Sequence, residues 1–115
     1  MAGFSVETRR DGAVATMKLR GEARLEVVEP FRAEGKALLA AGVTHLLLDA
    51  TALQFVDSAS FGVVLELLRD AQRRGGGLAF YGASARLRRT VDAMGIAERL
   101  TMAADDASAR KALGI

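Results

Sequence analysis

A short apolar run followed by an amphipathic pattern, within residues 46–74, constrains the fold more than any other part of the chain. Residues 46–48 are three consecutive leucines bounded by turn-type residues, a run too short for a helix and typical of a buried strand. Further along, apolar side chains recur with the spacing i, i+3, i+4 and i+7, at Phe61, Val64, Leu65 and Leu68. This spacing places them on one face of a helix. The stretch therefore predicts a buried strand and then an amphipathic helix.

The residues that begin this helix carry polar side chains of the kind that cap helices. Asp57 and Ser58 stand just before the amphipathic pattern. Their oxygens can accept hydrogen bonds from the free N–H groups of the first helical turn. The sequence thus places a carboxylate and a hydroxyl at the positive end of a helix. A helix cap and a functional site are both open interpretations, and one residue can serve as both.

Strand and helix patterns alternate along the rest of the chain. Residues 4–8 alternate apolar and polar, and Asp11-Gly12 indicates a hairpin turn into a return strand that ends at Gly21. The next predicted elements are a helix with Pro30 in its first turn and Gly42 as its stop, a central strand over 43–49, and a long helix over 58–74. A strand over 78–81 and a short helix from Ser84 to about Met94 follow. The last elements are a strand or extended segment within 96–102 and a helix from Asp105 or Asp106 to Gly114.

This order of elements predicts an α/β fold. The later strands should be parallel and joined by right-handed crossovers, and the opening hairpin makes the sheet mixed. We expect a mixed sheet of four to five strands with about four helices, in one domain over residues 1–115. Functional residues of such sheets tend to lie beyond the carboxyl ends of the strands. Asp57 and Ser58 fall in that region.

Composition narrows the chemistry available to the protein. The chain has no cysteine and one histidine, which excludes disulfides and cysteine-bound zinc and leaves few ligands for other metals. The glycine triplet 75–77 follows a helix, whereas a phosphate-binding glycine loop precedes one, so we interpret it as a turn. We therefore expect no metal and no cofactor.

Charge and hydropathy bear on location and on partners. The apolar runs are only a few residues long, and the N-terminus carries charge where a signal peptide needs apolar residues, so we expect a cytoplasmic protein without membrane insertion. The net charge is +2, and the arginine clusters at 73–74 and 86–89 have little aromatic interleaving. This pattern argues against nucleic-acid binding. The arginines are either solvated or placed to meet an oppositely charged partner loop.

The sequence favours a protein that is not an enzyme. A serine nucleophile needs a base, and the sole histidine, His45, falls at the start of the central strand, away from the end where Ser58 lies. Ser58 also lacks the G-x-S-x-G context of hydrolases. The carboxylates Asp49 and Asp57 are eight residues apart, a spacing that does not predict a pair.

The segment from Phe55 to Gly62 resembles the phosphorylation motif of bacterial anti-sigma factor antagonists, which are STAS domains. That motif runs roughly Asp-Ser-Ser/Thr-Gly-Leu-Gly at the start of a helix; Asp57 and Ser58 match its first two positions and Gly62 its last glycine. The resemblance extends over nearly the whole chain, through Gly21-Glu22, the strand at 45–49 and the turn at 94–96.

Three positions depart from the motif. Ala59 replaces the usual second hydroxyl, Ser60 the usual glycine, and Phe61 the usual leucine. Phe61 keeps an apolar role. Ser60 adds bulk where a partner would approach, and it is a second candidate phosphate acceptor.

The resemblance implies a function for these residues. Ser58 would accept phosphate from a partner serine kinase that is also an anti-sigma factor, and a phosphatase would be a further partner. The expected contact surface comprises Asp57, Ser58, Ala59, Ser60 and Gly62. The unmodified form would bind the anti-sigma factor and free the sigma factor, and phosphorylation would reverse this. The alternatives are a STAS subunit of a bacterial lipid-transport ABC complex, towards which Ala59 leans, and a stressosome-type scaffold.

Overall fold

The computed structural model describes residues 3–115, and its elements follow the predicted order. The strands are β1 (Phe4–Asp11), β2 (Val14–Ala23), β3 (His45–Val56), β4 (Gly77–Tyr81) and β5 (Thr101–Ala103). The helices are α1 (Glu29–Ala40), α2 (Ser58–Arg73), α3 (Ala85–Ala93) and α4 (Asp106–Leu113).

The five strands form one sheet in the order β1-β2-β3-β4-β5. Strands β1 and β2 are antiparallel, and each later pair is parallel. The hairpin turns at Gly12, whose φ of 63° lies in the left-handed region that glycine adopts at little steric cost. The predicted α/β class, with a mixed sheet and four helices, is confirmed.

The central strand is longer than the sequence indicated, and its predicted end at residue 49 is wrong. Strand β3 runs from His45 to Val56 and remains paired with β2 as far as Ala23. The register between the two strands shifts twice, after Lys18 and after Gly21. A bulge places an extra residue out of register, so the alternation that reveals a strand is interrupted. Strand β3 therefore ends at Val56, immediately before Asp57.

Helices cover both faces of the sheet and thereby define two apolar clusters. On one face, side chains of β2, β3 and β4 pack against α1, α2 and α3, with Phe31, Phe61 and Phe80 as the largest buried side chains. On the other face, α4 packs Ala109 against Leu47 and neighbouring small residues. No helix in the described part of the chain is both long and apolar enough to cross a membrane.

Close packing against α1 holds α2 in position. Gly35 is buried at the crossing, where a Cβ would lie 2.8 Å from Cδ1 of Leu67, so a larger residue would require the buried Leu67 side chain to shift. An ion pair between Arg32 and Glu66, at 2.9 Å, flanks this contact. Because both side chains are partly exposed, the pair contributes at most about 1 kcal/mol. Apolar packing therefore dominates the placement of α2.

Candidate functional site

Asp57 caps helix α2, as the sequence predicted. Its backbone is extended, with φ −80° and ψ 170°, and its Oδ1 accepts a hydrogen bond of 2.8 Å from the Ser60 N–H. Ser58 follows as the first residue of the helix, and its side chain is exposed. The hydroxyl therefore lies at the positive end of a 16-residue helix.

The same carboxylate also fixes a distant part of the chain. Oδ2 of Asp57 accepts a hydrogen bond of 2.9 Å from the Leu25 N–H, and the Asp57 N–H donates to the Ala23 carbonyl at 3.0 Å. Residues 24–28, between β2 and α1, are hereafter the 24–28 loop. Asp57 thus joins the start of α2 to this loop, a contact between residues 32 apart in sequence.

The surroundings of Asp57 keep its carboxyl ionised. Desolvation raises the pKa of this group, but hydrogen bonds from the N–H groups of Leu25 and Ser60, together with the positive charge of Arg24, outweigh it. The net effect lowers the pKa of Asp57 below its ordinary value. A negative charge is therefore already present beside Ser58 at neutral pH.

The predicted contact residues separate into exposed and buried ones. Ser58, Ala59 and Gly62 are exposed, and Asp57 is partly exposed. Ser60 is only 1% exposed, and its hydroxyl has no hydrogen-bond partner among the described residues. This burial argues against the predicted places of Ser60 on the contact surface and as a second phosphate acceptor. On α2, Ser60 lies on the same face as the buried residues four and seven positions further on, and tertiary packing covers that face.

The other candidate residues do not form a catalytic set with Ser58. His45 is the first residue of β3, at the end of the strand opposite Asp57, and its Nδ1 lies 2.9 Å from Oγ1 of Thr44. Asp49 accepts hydrogen bonds from the N–H and hydroxyl of Thr51, at 3.0 and 2.6 Å. The carboxylates of Asp49 and Asp57 thus accept hydrogen bonds from different parts of the chain. No group of three or more potential metal ligands occurs within residues 3–115.

The 24–28 loop adds residues to the site that sequence reasoning missed. Leu25 and Val27 are 61% and 42% exposed, whereas most large apolar side chains of the described residues are buried. The guanidinium of Arg24 stacks over the Phe55 ring, 4.5 Å from its centroid. Residues 22–29 show no clear helix or strand pattern, so no local signal placed this loop beside Asp57.

A family model described as Mlab, STAS domain, matches residues 6–103, which is most of the chain. The chain belongs to the STAS domain family. The sequence-based recognition of a STAS domain is thereby confirmed, and the cap at Asp57 and Ser58 lies inside the matched region.

Solved structures share this STAS fold over nearly the whole chain. An anti-sigma factor antagonist from Mycobacterium paratuberculosis has a TM-score of 0.85 at 14% identity, covering 98% of this chain and 96% of that one. The anti-sigma factor antagonist SpoIIAA in its unphosphorylated form has a TM-score of 0.79 at 23% identity, covering 98% of both chains. The phosphorylated form of SpoIIAA from Bacillus has a TM-score of 0.72 at 23% identity, covering 96% and 98%. At these identities the likeness establishes the fold.

Proposed function

We propose that this STAS domain is an anti-sigma factor antagonist that switches partners through phosphorylation of Ser58. The unmodified domain binds an anti-sigma factor that is also a serine kinase, and the phosphorylated domain releases it. The observation that carries the proposal is the exposed Ser58 hydroxyl, which begins α2 immediately after the ionised Asp57 cap.

The contact surface in this proposal surrounds the Ser58 hydroxyl. It comprises Ala59 and Gly62 on the exposed side of α2, together with Leu25 and Val27 on the 24–28 loop, which Asp57 ties to the helix. Small and apolar side chains permit a close, dehydrated contact. Leu25 and Val27 give the partner apolar surface to bury, which the polar Ser58 side chain does not.

Phosphorylation changes the charge of this surface without breaking contacts within the domain. The Ser58 Oγ attacks the γ-phosphoryl group of the kinase-bound ATP, ADP leaves, and a base of the kinase takes the hydroxyl proton. Among the described residues the Ser58 side chain makes no hydrogen bond that would be lost, and the helix N-terminus tolerates an anion. A phosphatase that hydrolyses the ester restores the hydroxyl.

For the partner, phosphorylation of Ser58 makes binding unfavourable. The modification adds about −1.5 to −2 charge units next to the Asp57 carboxylate. A partner seated over Ser58 would have to strip water from the phosphate, and burying an unpaired charge is costly. Complex formation is therefore lost while the domain stays folded.

Partner capture tests this proposal directly. We expect the Ser58→Ala chain to retain an ATP-binding anti-sigma factor from the native lysate, and the Ser58→Asp chain to lose it, as identified by mass spectrometry. Ser5→Asp is the matched control, because Ser5 is exposed on β1 and receives the same charge. Incubation of the wild-type chain with the captured protein and ATP should then add phosphate at Ser58. Equal recovery by the Ala and Asp chains would overturn the switch.

A second candidate function is a subunit of a lipid-transport ABC complex. It is favoured by Ala59 in place of the usual hydroxyl and by the matching family model, whose description is Mlab and not an anti-sigma factor antagonist. The same capture separates the two candidates. Transporter ATPase and permease subunits on both Ser58 variants would favour the second.

Substitution of Gly62 should separate stability from partner binding. Nothing lies within 4 Å of a Cβ built at this exposed helical position. We expect Gly62→Ala to stabilise the domain by up to about 1 kcal/mol in urea denaturation, because alanine restricts the unfolded chain. The added methyl group should weaken partner capture by obstructing the contact. Unchanged capture would place the contact away from Gly62.

A further inference from the structure

Strand β3 has a free edge beyond the end of β4. The ladder between them ends at the pair Asp49 and Tyr81, whereas β3 continues to Val56. After Tyr81 the chain turns at Gly82, whose N–H donates to the Ala103 carbonyl, and leaves the sheet towards α3. Among the described residues, no backbone hydrogen bond joins residues 51–56 to the chain after β4. An unpaired strand edge is a template for a further strand.

A groove of about 490 Å³ lies at this part of β3 and is lined by residues 53–55. Ser84 and Arg86, at the start of α3, also line it, as do Glu22 and Arg24 from the β2 side of β3. The groove adjoins the Ser58 site, because Arg24 acts on the Asp57 carboxylate and Asp57 follows β3 directly.

The groove offers a positive charge to a ligand. Arg24 is already ion-paired with Glu22 at 3.0 Å and stacked on Phe55. Arg86 is exposed, and its side chain has no hydrogen bond or ion pair to another described residue. By contrast, the Arg88 guanidinium on the same helix donates to the Ala103 carbonyl. A carboxylate entering the groove would therefore find Arg86 available.

We propose that this groove binds an extended acidic segment of the protein partner, which adds as a strand along residues 53–55 of β3. The inference rests on the proposed function, since the segment belongs to the partner that docks over Ser58. Main-chain hydrogen bonds to the strand edge would give affinity, and a carboxylate paired with Arg86 would give specificity. An apolar or basic segment could not form the ion pair with Arg86.

Gln54 provides a way to block the edge. It has no partner residue in β2, because the register passes from Leu53 to Phe55, and its side chain is exposed. Proline is tolerated at strand edges and bulges but removes an N–H group and adds a ring. Gln54→Pro should therefore obstruct strand addition, with circular dichroism reporting whether the domain remains folded.

The test is selection of peptides from a phage-displayed library of random dodecapeptides against the wild-type domain. We expect the enriched peptides to be acidic. Their affinity should fall by at least about tenfold with Arg86→Glu, the scale of one lost charged contact, and remain within about twofold with Arg89→Glu, an exposed control on the same helix. Amides of residues 51–56 should become protected from hydrogen exchange on binding, a readout that does not depend on the proline variant.

Failure to enrich any peptide, or binding that Arg86→Glu leaves unchanged, would overturn the groove proposal. Protection confined to amides outside residues 51–56 would do the same. The selection uses neither the partner nor a phosphorylated chain, so its failure would leave the Ser58 capture result standing. Conversely, equal capture by the Ser58 variants would reject the switch without affecting peptide binding in the groove.

Discussion

Replacement of Phe61 with alanine is expected to lower the free energy of unfolding by about 4 kcal/mol, measured by urea denaturation. The ring is 1% exposed and lies 6.4 Å from the Phe80 ring, centroid to centroid, where α2 packs on the sheet. Removing it leaves a cavity in the first turn of the helix that carries Ser58. A loss of this size is a large part of the 5–15 kcal/mol of a typical domain.

Phe61→Leu is the matched control for this substitution. Leucine is the usual residue in the motif that the segment resembles, and it fills most of the space with apolar atoms. We expect a cost below about 1.5 kcal/mol. If Phe61→Ala cost less than about 1 kcal/mol, the packing of α2 would not depend on this ring.

Replacement of Asp57 with alanine is expected to destabilise the domain by about 2 kcal/mol, because it removes a helix cap. It also leaves the Leu25 N–H without its acceptor and so detaches the 24–28 loop. Urea denaturation measures the first effect, and faster hydrogen exchange of the Leu25 amide measures the second. Asp57→Asn keeps an uncharged acceptor oxygen, so it should cost less than the alanine substitution. An unchanged hydrogen-exchange rate of the Leu25 amide would contradict the role of Asp57 in holding the 24–28 loop.

The contribution of Asp57 should depend on pH. Because folding lowers the pKa of this carboxyl, the ionised form stabilises the folded state. The contribution is fully present above the pKa of the unfolded chain, about 3.9, and is lost as the pH falls through the lower folded value. The stability difference between wild type and Asp57→Asn should therefore be constant near neutrality and shrink below about pH 4. A difference independent of pH would show that charge plays no part.

Much of the fold could be predicted because its signals are local. The Asp11-Gly12 turn, the caps at Asp57 and Ser84, and the left-handed Gly114 that ends α4 each depend on residues within one turn of each other. The length of β3 was missed, since its pairing with β2 contains two register shifts that no local pattern reveals. Local sequence signals therefore predicted where elements begin and end, except for β3, whose length depends on its pairing with β2.

The sequence by itself determined that a carboxylate and a serine hydroxyl begin an amphipathic helix after a buried strand. Only the tertiary structure decided which side chains around them are exposed. Ser58 faces solvent while Ser60 packs inward, and the Asp57 carboxylate reaches Leu25, 32 residues away. The free edge of β3 likewise depends on where β4 turns away. Burial and pairing are set by contacts between distant parts of the chain, whereas capping and periodicity are set within a few residues.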